Sequence, residues 1–396
     1  MIGDLLFYVP LLISIAIGLL YFRDLGDVSQ MVLRVKREHM HRFIRNEYVL
    51  IGTGLGSFFV TVLAHFLLDG GVDWLFWVAL ALIAFLYGFP WVWVHVALRN
   101  QKNSATYYSV EEAWDWVNPS GGVVVIEKDG VARAHPDNHI MRPHLAGNEE
   151  GLNGENVVMT YCALSNLGTG YVPEIEGEKV ELEVVAQHGN NLILRDNRTG
   201  EPIQQIYGHR EKDGEKSPGM KNWPTFRMSF RGFAKAYPQG QVFLNKPSEN
   251  VLLRLFDMIV DVGYVPGIIR QHNEAKPLMD NMTRNDDRLR NKTYIWGVNI
   301  GRDAVCYTDD FVIEKGGLIN ATIGGRDVVV AYDPIYESLG VWYNDSGVAI
   351  SEIDFFGTSD QGDLKRVETL KPGMFWHAWA EFYPHSDINR VGKAQG

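Results

Sequence analysis

The sharpest chemical pair in the sequence is a histidine and a cysteine, His144 and Cys162. Thiolate sulfur and imidazole nitrogen together suit a soft cation such as Cu(I). His135 and His188 are near enough in sequence to add ligands. We therefore predict a copper-type metal site, or a redox site, formed from these four residues. The alternative is that Cys162 is a buried, inert apolar residue and that His144 caps a turn.

The sequence contains none of the motifs that specify a common enzyme class. Its two cysteines, Cys162 and Cys306, lie far apart, so neither a CxxC pair nor a four-cysteine zinc site can form. There is no HExxH zinc motif, no GxGxxG dinucleotide fingerprint, no phosphate-binding P-loop and no GxSxG nucleophile. An enzyme is therefore the less favoured interpretation, and its reaction is not specified by any motif.

Length and charge restrict the class of protein. The chain has 396 residues, of which 46% are apolar, which is enough for two or three folding units with sizeable cores. Lys and Arg number 37 against 48 Asp and Glu, which gives a net charge of −11. Because phosphate binding depends on clustered basic residues, we exclude nucleic acid as a partner.

Three long apolar runs lie before residue 99 and predict a membrane anchor. They cover residues 5–22, 48–68 and 74–98, and each can cross a hydrocarbon core about 30 Å thick at 1.5 Å per residue. The second and third runs are joined by only five residues, 69–73, and must form a hairpin. A cleaved signal peptide is the alternative for the first run, but the basic segment and cleavage site that it requires are missing.

The loop between the first two apolar runs is basic, which indicates the side of the membrane on which it lies. Residues 23–47 contain six Lys or Arg residues, whereas the hairpin at 69–73 contains none. The positive-inside rule would place this loop, and with it everything after residue 99, on the cytoplasmic side.

Beyond residue 101 the sequence changes to short β-rich runs separated by Gly, Asn and Asp. Residues 127–135 align with residues 299–307 at an offset of 172, and residues 153–161 align with 324–332 after one slip. By this register His144 corresponds to Gly316 and Cys162 to Asp333. We predict two related modules, so that residues 123–161 and 298–332 form equivalent strand-rich units.

The predicted fold class is therefore an α-helical anchor followed by a β-rich, α+β region built from two modules. The predicted boundaries are 1–100 for the anchor, 105–245 for the first module, 246–293 for a helix and linker, and 294–396 for the second module. The helix spans 248–262 with Ser248 as its N-cap. We expect its apolar residues to pack across the junction between the modules.

Several short motifs, in order, resemble the bacterial and archaeal family known as domain of unknown function 3179. They include Ala132-Arg-Ala-His-Pro136, Thr160-Tyr-Cys-Ala-Leu-Ser165 and Asp196-Asn-Arg-Thr-Gly200. The resemblance covers roughly residues 110–390 and does not extend to the anchor. Where the family has Cys-Pro-Leu-Cys, this chain has one cysteine and Ser165, which removes a two-thiolate site. The resemblance implies an exported region, on the exoplasmic side of the inner membrane, against the positive-inside rule.

The leading functional hypothesis is a non-catalytic, membrane-anchored accessory subunit that docks on a larger membrane complex. The lipid bilayer and membrane-protein subunits are its expected partners. The alternatives are a copper-handling or redox protein that uses Cys162 and His144, and an enzyme of unspecified reaction with its cleft between the modules.

Overall fold

The structure is a computed structural model that describes residues 1–98, 100–211, 218–279 and 281–391. Three helices form the N-terminal part: α1 Ile2–Leu25, α3 Arg37–Leu68 and α4 Asp73–Trp91, with a short α2 Asp27–Gln30 after the first. A π-helical turn, Val92–Ala97, continues the last of them. All three are long and apolar enough to cross a membrane, which confirms the predicted helices.

The three helices pack as a bundle in which α1 contacts both α3 and α4. At one crossing, Tyr87 donates a hydrogen bond from its hydroxyl to the Ser14 carbonyl at 2.9 Å. Gly54 lies against the same tyrosine, and a Cβ added there would come within 1.9 Å of its hydroxyl oxygen. Close helix packing here therefore depends on the missing side chain.

The rest of the chain is rich in β-strands, as predicted. We call residues 105–245 the first β region and residues 294–391 the second. The strands of the first are β1 Tyr107–Ser109, β2 Gly122–Lys128, β3 Val131–Pro136, β4 Leu145–Ala146, β5 Val158–Cys162, β6 Leu167–Val172, β7 Glu174–Ile175, β8 Glu178–Lys179, β9 Leu182–His188, β10 Asn191–Asp196, β11 Pro202–Gln204, β12 Lys221–Trp223, β13 Thr225–Ser229 and β14 Gln241–Phe243. Its helices are α5 Val110–Ala113, α6 Asp137–Ile140 and α7 Phe230–Ala236.

The second β region is smaller. Its strands are β15 Tyr294–Ile300, β16 Asp303–Tyr307, β17 Leu318–Ile323, β18 Arg326–Asp333, β19 Ser338–Tyr343, β20 Thr358–Ser359, β21 Gly362–Asp363, β22 Lys365–Arg366, β23 Lys371–Phe375 and β24 Asp387–Asn389. Its helices are α9 Asp309–Glu314 and α10 Trp376–Phe382.

Both β regions have the same strand order. One sheet contains the order β14-β3-β2-β13 in the first region and β24-β16-β15-β23 in the second, and in each the first of these pairs is parallel and the others antiparallel. The first region adds β1 at the edge, antiparallel to β14. The other sheet runs β4-β5-β6-β12 in the first region and β17-β18-β19-β22 in the second. The predicted equivalent stretches, 123–161 and 298–332, are both built from strands and one short helix.

Backbone pairing refines the predicted correspondence by one residue. The Tyr161 amide donates to the His144 carbonyl at 2.8 Å, and the Tyr332 amide donates to the Gly317 carbonyl at 2.9 Å. The residue in the place of His144 is thus Gly317 rather than Gly316. Both His144 and Gly317 have positive φ, 57° and 83°, a conformation that glycine adopts without steric cost.

The two β regions differ in the chain segment that joins the last two strands of the second sheet, β6 to β12 in the first region and β19 to β22 in the second. The first region inserts β7 to β11, whereas the second has only the β20–β21 hairpin. Within the insertion, β9, β10 and β11 form a sheet of their own. Val185, Ala186 and Ile193 of that sheet share a core with Phe43 and Val94 of the anchor. The insertion therefore joins the first β region to the helical bundle.

Helix α8, Val251–His272, follows the first β region and begins three residues after the predicted start. Its N-cap is Asn250, whose side chain accepts hydrogen bonds from the amides of Leu252 and Leu253, rather than Ser248. The predicted apolar stripe does not pack on the protein, because Leu252, Ile259 and Val262 are exposed. The end of the helix does reach both β regions, since His272 contacts the Ala163 carbonyl and the Phe375 ring. The opposite side contacts the protein instead, through buried Asp257 and Gln271 and through Ile268, which belongs to the core of the first region.

Candidate functional site

His144 lies in the turn between α6 and β4 and is almost completely buried. Its Nδ1 is 2.8 Å from the Tyr161 carbonyl oxygen and its Nε2 is 3.1 Å from the Tyr264 hydroxyl. Since Nδ1 faces a carbonyl, it carries the proton, and Nε2 accepts. Burial lowers the pKa of His144 to about 4. The imidazole is therefore neutral, and both ring nitrogens already have partners.

Cys162 ends β5 and is fully buried. Its Sγ is 3.5 Å from the Asn190 carbonyl oxygen. Burial raises the pKa of the thiol despite a hydrogen bond from Ser165, so the protonated form is favoured. His144 is hydrogen-bonded to the carbonyl of Tyr161, the residue that precedes Cys162 in β5. The structure thus brings the predicted pair to one part of the first β region, as a thiol and a neutral imidazole.

The other two predicted ligands lie elsewhere and have surroundings of their own. Burial lowers the pKa of His135 to about 3, and its Nε2 is 3.1 Å from the Tyr107 hydroxyl. Burial and the nearby Arg37 charge lower the pKa of His188 to about 4. Across the described residues, no group of three or more His, Cys, Asp or Glu side chains could hold a metal ion. The copper site stays a prediction that rests on His144 and Cys162.

The segment that resembles the family's cysteine motif joins the two β regions. The Phe375 amide donates to the Ser165 carbonyl at 2.8 Å, and Asn166 donates from its side-chain amide to the Gly373 carbonyl at 2.6 Å. Asn166 also accepts a hydrogen bond from the Tyr161 hydroxyl at 2.8 Å. In this chain, residues 163–166 therefore form a structural contact between the first β region and β23.

A cleft of about 850 Å³ lies where the two β regions meet. We call it the inter-region cleft. Its lining is rich in basic side chains, among them Arg302 and Lys371. Tyr207, His209, Asn222 and Glu381 also line it. The carboxylate of Glu381 is engaged by the backbone amides of Thr283 and Arg284 at 3.0 to 3.1 Å. Because these amides already bind the Glu381 carboxylate, the basic side chains of the inter-region cleft favour an anionic ligand.

Lys371 is the residue of this cleft with the most altered environment. It begins β23, is 1% exposed, and donates a hydrogen bond from Nζ to the Asn222 side-chain oxygen at 2.8 Å. Burial lowers its pKa to about 7. A lysine that is partly neutral at physiological pH can act as a base or a nucleophile.

His209 lies in the same cleft, stacked on Tyr207 with ring centroids 5.1 Å apart. It is 8% exposed, and within the part of the chain that the structure describes neither ring nitrogen has a hydrogen-bond partner. Burying such a group without a partner costs free energy. A ligand in the cleft would supply the missing partner.

A second set of functional contacts, the junction network, joins the anchor to the insertion. It consists of Glu47, His95, Glu183 and Arg195. Arg195 pairs with Glu47 and, at 2.5 Å, with Glu183. His95 Nδ1 lies 2.8 Å from Glu183 and its Nε2 lies 3.4 Å from Glu47. Two positive and two negative groups can therefore balance one another in this network.

The junction network is buried, which makes the balance of charge important. The side chains of Glu47 and Arg195 are 0% and 1% exposed. Burial opposes ionisation of Glu183, but its contacts with His95 and Arg195 outweigh this and lower its pKa to about 2. The carboxylate is therefore charged at any physiological pH, and removing either cation would leave the network with one more negative than positive charge.

Sequence reasoning missed Lys371, His209 as a cleft residue, and Arg195. The only signal for Lys371 is a lysine placed between Leu370 and the apolar residues that follow it. Arg195 stands in the strand pattern Asn-Leu-Ile-Leu-Arg-Asp, where an arginine at a strand end normally indicates an exposed edge. Nothing local marks either residue as buried.

Comparison with known families bears on the β-rich part of the chain. Residues 101–386 match the family described as "Protein of unknown function (DUF3179)". The chain belongs to this family. The DUF3179 match covers the first β region, helix α8, the inter-region cleft and the second β region as far as residue 386, and it begins just after the third of the long helices. No curated protein matches the chain, and no solved structure does either.

Proposed function

We propose that this DUF3179 protein is a non-catalytic, membrane-anchored accessory subunit that docks on a larger membrane complex. The observation that carries the proposal is the buried junction network, which ties β9 and β10 to α3 and the end of the third helix. A flexible tether would need no such contacts. A fixed orientation above the bilayer is what a docking subunit requires, because a rigid surface loses less entropy on binding.

We place the β-rich part on the exoplasmic side of the inner membrane. The basic segment 23–47, which includes the start of α3, argues the opposite by the positive-inside rule. Two of its basic residues, however, are engaged by the insertion: Arg37 pairs with Glu211 and Arg45 with Glu201. Their charge thus has a role in docking the β region, which weakens its value as a signal of orientation.

Orientation can be tested by labelling introduced cysteines in intact and permeabilised cells. Gln361→Cys lies at the tip of the β20–β21 hairpin, and Val72→Cys lies in the hairpin at the other end of the bundle. Both native cysteines are buried, so their background labelling is low. We expect a membrane-impermeant maleimide to label Gln361→Cys in intact cells and Val72→Cys only after permeabilisation. The reverse pattern would contradict the proposed side.

We further propose that the β regions are related modules with divided roles. Their common strand order supports this, as does the insertion that only the first possesses. The first module binds the anchor, and the second presents exposed apolar residues such as Ile335, Val348 and Phe356 to a membrane-protein partner.

Crosslinking in intact membranes followed by native gels tests the docking proposal. A photocrosslinker, p-benzoylphenylalanine, would replace Phe356 in the second module, with Val131 in the first module as the control position. We expect a crosslinked membrane protein from position 356 and none from position 131. A monomeric band after mild solubilisation, without any crosslinked partner at either position, would refute an accessory role.

A second candidate function is an enzyme or a receptor for an anionic ligand in the inter-region cleft. Buried Lys371 favours it, as does His209, whose ring nitrogens have no hydrogen-bond partner among the described residues. Thermal unfolding with inorganic phosphate, pyrophosphate, sulfate or citrate would test it, with Lys371→Met as the matched variant. An anion that stabilises only the wild-type chain supports this function, and the absence of stabilisation by every one of them counts against it.

A further inference from the structure

Helix α8 presents an apolar face to its surroundings. Leu252, Ile259 and Val262 are 76%, 76% and 78% exposed. They are spaced at i, i+7 and i+10, which puts them on one side of the helix. Leu255 and Met258 lie on the same side and are more than half exposed. Such a continuous apolar surface on a folded domain marks an interaction site.

The opposite side of α8 is polar and is held firmly by the first β region. Asp257 is 3% exposed and pairs with Arg142 at 2.9 Å, and Asp261 pairs with the same arginine at 2.8 Å. Further along, the Tyr264 hydroxyl contacts His144. Because Arg142 is itself buried, rotating the helix to hide its apolar face would break a buried ion pair.

The helix lies at the end of the bundle where the chain leaves the third span. Tyr264 contacts Trp93 of the π-helical turn, with ring centroids 5.8 Å apart. Trp93 in turn donates a hydrogen bond to Asp27 of α2 at 2.9 Å. Just after α2, Met31, Val32 and Leu33 form a second exposed apolar segment. Two apolar surfaces thus occur at the level where a bilayer would end.

Its composition separates α8 from the spanning helices. It has 22 residues, about 33 Å at 1.5 Å per residue, but Arg254, Asp257, Asp261 and Arg270 interrupt its apolar sequence. Spanning the bilayer would place these charges in hydrocarbon. Helices with one apolar face and charged residues on the other lie in the plane of the membrane, with the apolar face below the headgroups.

We propose that α8 is an in-plane membrane helix whose apolar face inserts into the lipid interface beside the third span. Continuity with that span favours lipid over a protein partner, because the helix is already held against the π-helical turn. The exposed Arg254 adds attraction for anionic headgroups. The β regions would then be fixed to the bilayer at two places, through the spans and through this helix.

Depth-dependent fluorescence quenching tests the proposal in the full-length protein. Single variants Ile259→Cys and Leu252→Cys would carry an environment-sensitive fluorophore, in nanodiscs of phosphatidylcholine and phosphatidylglycerol with one protein each. Both native cysteines are buried and should stay unlabelled. We expect lipids with a nitroxide near the headgroup to quench both labels about twofold or more, because an interfacial helix sits about 5–10 Å deep. Nitroxides near the chain end should quench them less.

Val348→Cys, a residue 54% exposed in the second β region, is the matched control, and it should be quenched by iodide and not by lipid. Iodide quenching of position 259 equal to that of position 348 would overturn the proposal. Protection from both iodide and lipid quenchers would overturn it too, because protein would then cover the face. Stronger quenching by the deep nitroxide would indicate a spanning helix and would equally refute an in-plane one.

Discussion

Removal of Arg195 should destabilise the protein more than removal of any surface arginine. In Arg195→Ala, the buried Glu47 loses its guanidinium partner and Glu183 keeps only His95. Breaking a buried ion pair by deleting one partner costs about 3–5 kcal/mol. At roughly 2 °C per kcal/mol, the low end for larger domains, this lowers the unfolding midpoint by about 6–10 °C. Thermal unfolding of the full-length protein in detergent, followed by circular dichroism, measures it.

Two further variants test whether uncompensated buried charge causes the loss of stability in Arg195→Ala. Arg231→Ala removes an arginine from an ion pair whose side chains are 59% and 42% exposed, and should cost only about 0–1 kcal/mol. Adding Glu47→Gln and Glu183→Gln to Arg195→Met should recover part of the lost stability, because no buried charge then stands alone. An Arg195→Ala midpoint within 1–2 °C of that of Arg231→Ala, taking about 2 °C per kcal/mol, would refute the reasoning.

Three further predictions concern groups with altered acidity or accessibility. The Lys371 pKa falls from 10.5 to about 7 on folding. Between about pH 7 and pH 10.5 the unfolded chain therefore binds one more proton than the folded chain, and the free energy of unfolding rises with pH. Denaturant unfolding at several pH values should show this rise in the wild type and a smaller one in Lys371→Met. The Glu183 pKa is lowered to about 2, so the stability that its carboxylate contributes is fully present above about pH 4.3 and is lost as the pH falls toward 2. Acid unfolding of Glu183→Gln, compared with that of the wild type, measures this contribution. Buried Cys162 should react with N-ethylmaleimide only after the protein unfolds. If Cys162 and His144 bind Cu(I) together, elemental analysis should find copper in the wild-type protein and none in Cys162→Ser.

The anchor could be predicted because its signal is local. An uncharged apolar run of sufficient length is a property of composition alone. The run predicted to start at residue 48 belongs to a helix that begins at Arg37. Its first turns contain Arg37, Glu38 and Arg42, and they pack on the insertion rather than on lipid. Hydropathy does not register such a segment, so the predicted helix was too short at this end.

The site residues could not be predicted because their partners are distant in sequence. Arg195 and Glu47 are separated by 148 positions, and Lys371 and Asn222 by 149. The amphipathic pattern of α8 was visible, but its orientation was not. A helical apolar stripe is the same whether it faces a protein core or a lipid surface. The ion pair between Asp257 and Arg142 shows which side of α8 faces the protein and leaves the apolar stripe exposed.

The insertion accounts for the contact between the helical bundle and only one of the two similar β regions. Glu183 lies in β9 and Arg195 in β10, so both extramembrane members of the junction network belong to the inserted sheet. At the corresponding place the second β region has two strands of two residues each, which cannot supply a comparable surface. The contact with the helical bundle therefore depends on a segment that only the first region has, and that segment also shares a core with β5 and β6. This leaves the inter-region cleft and the second region's exposed surface free for whatever this protein binds.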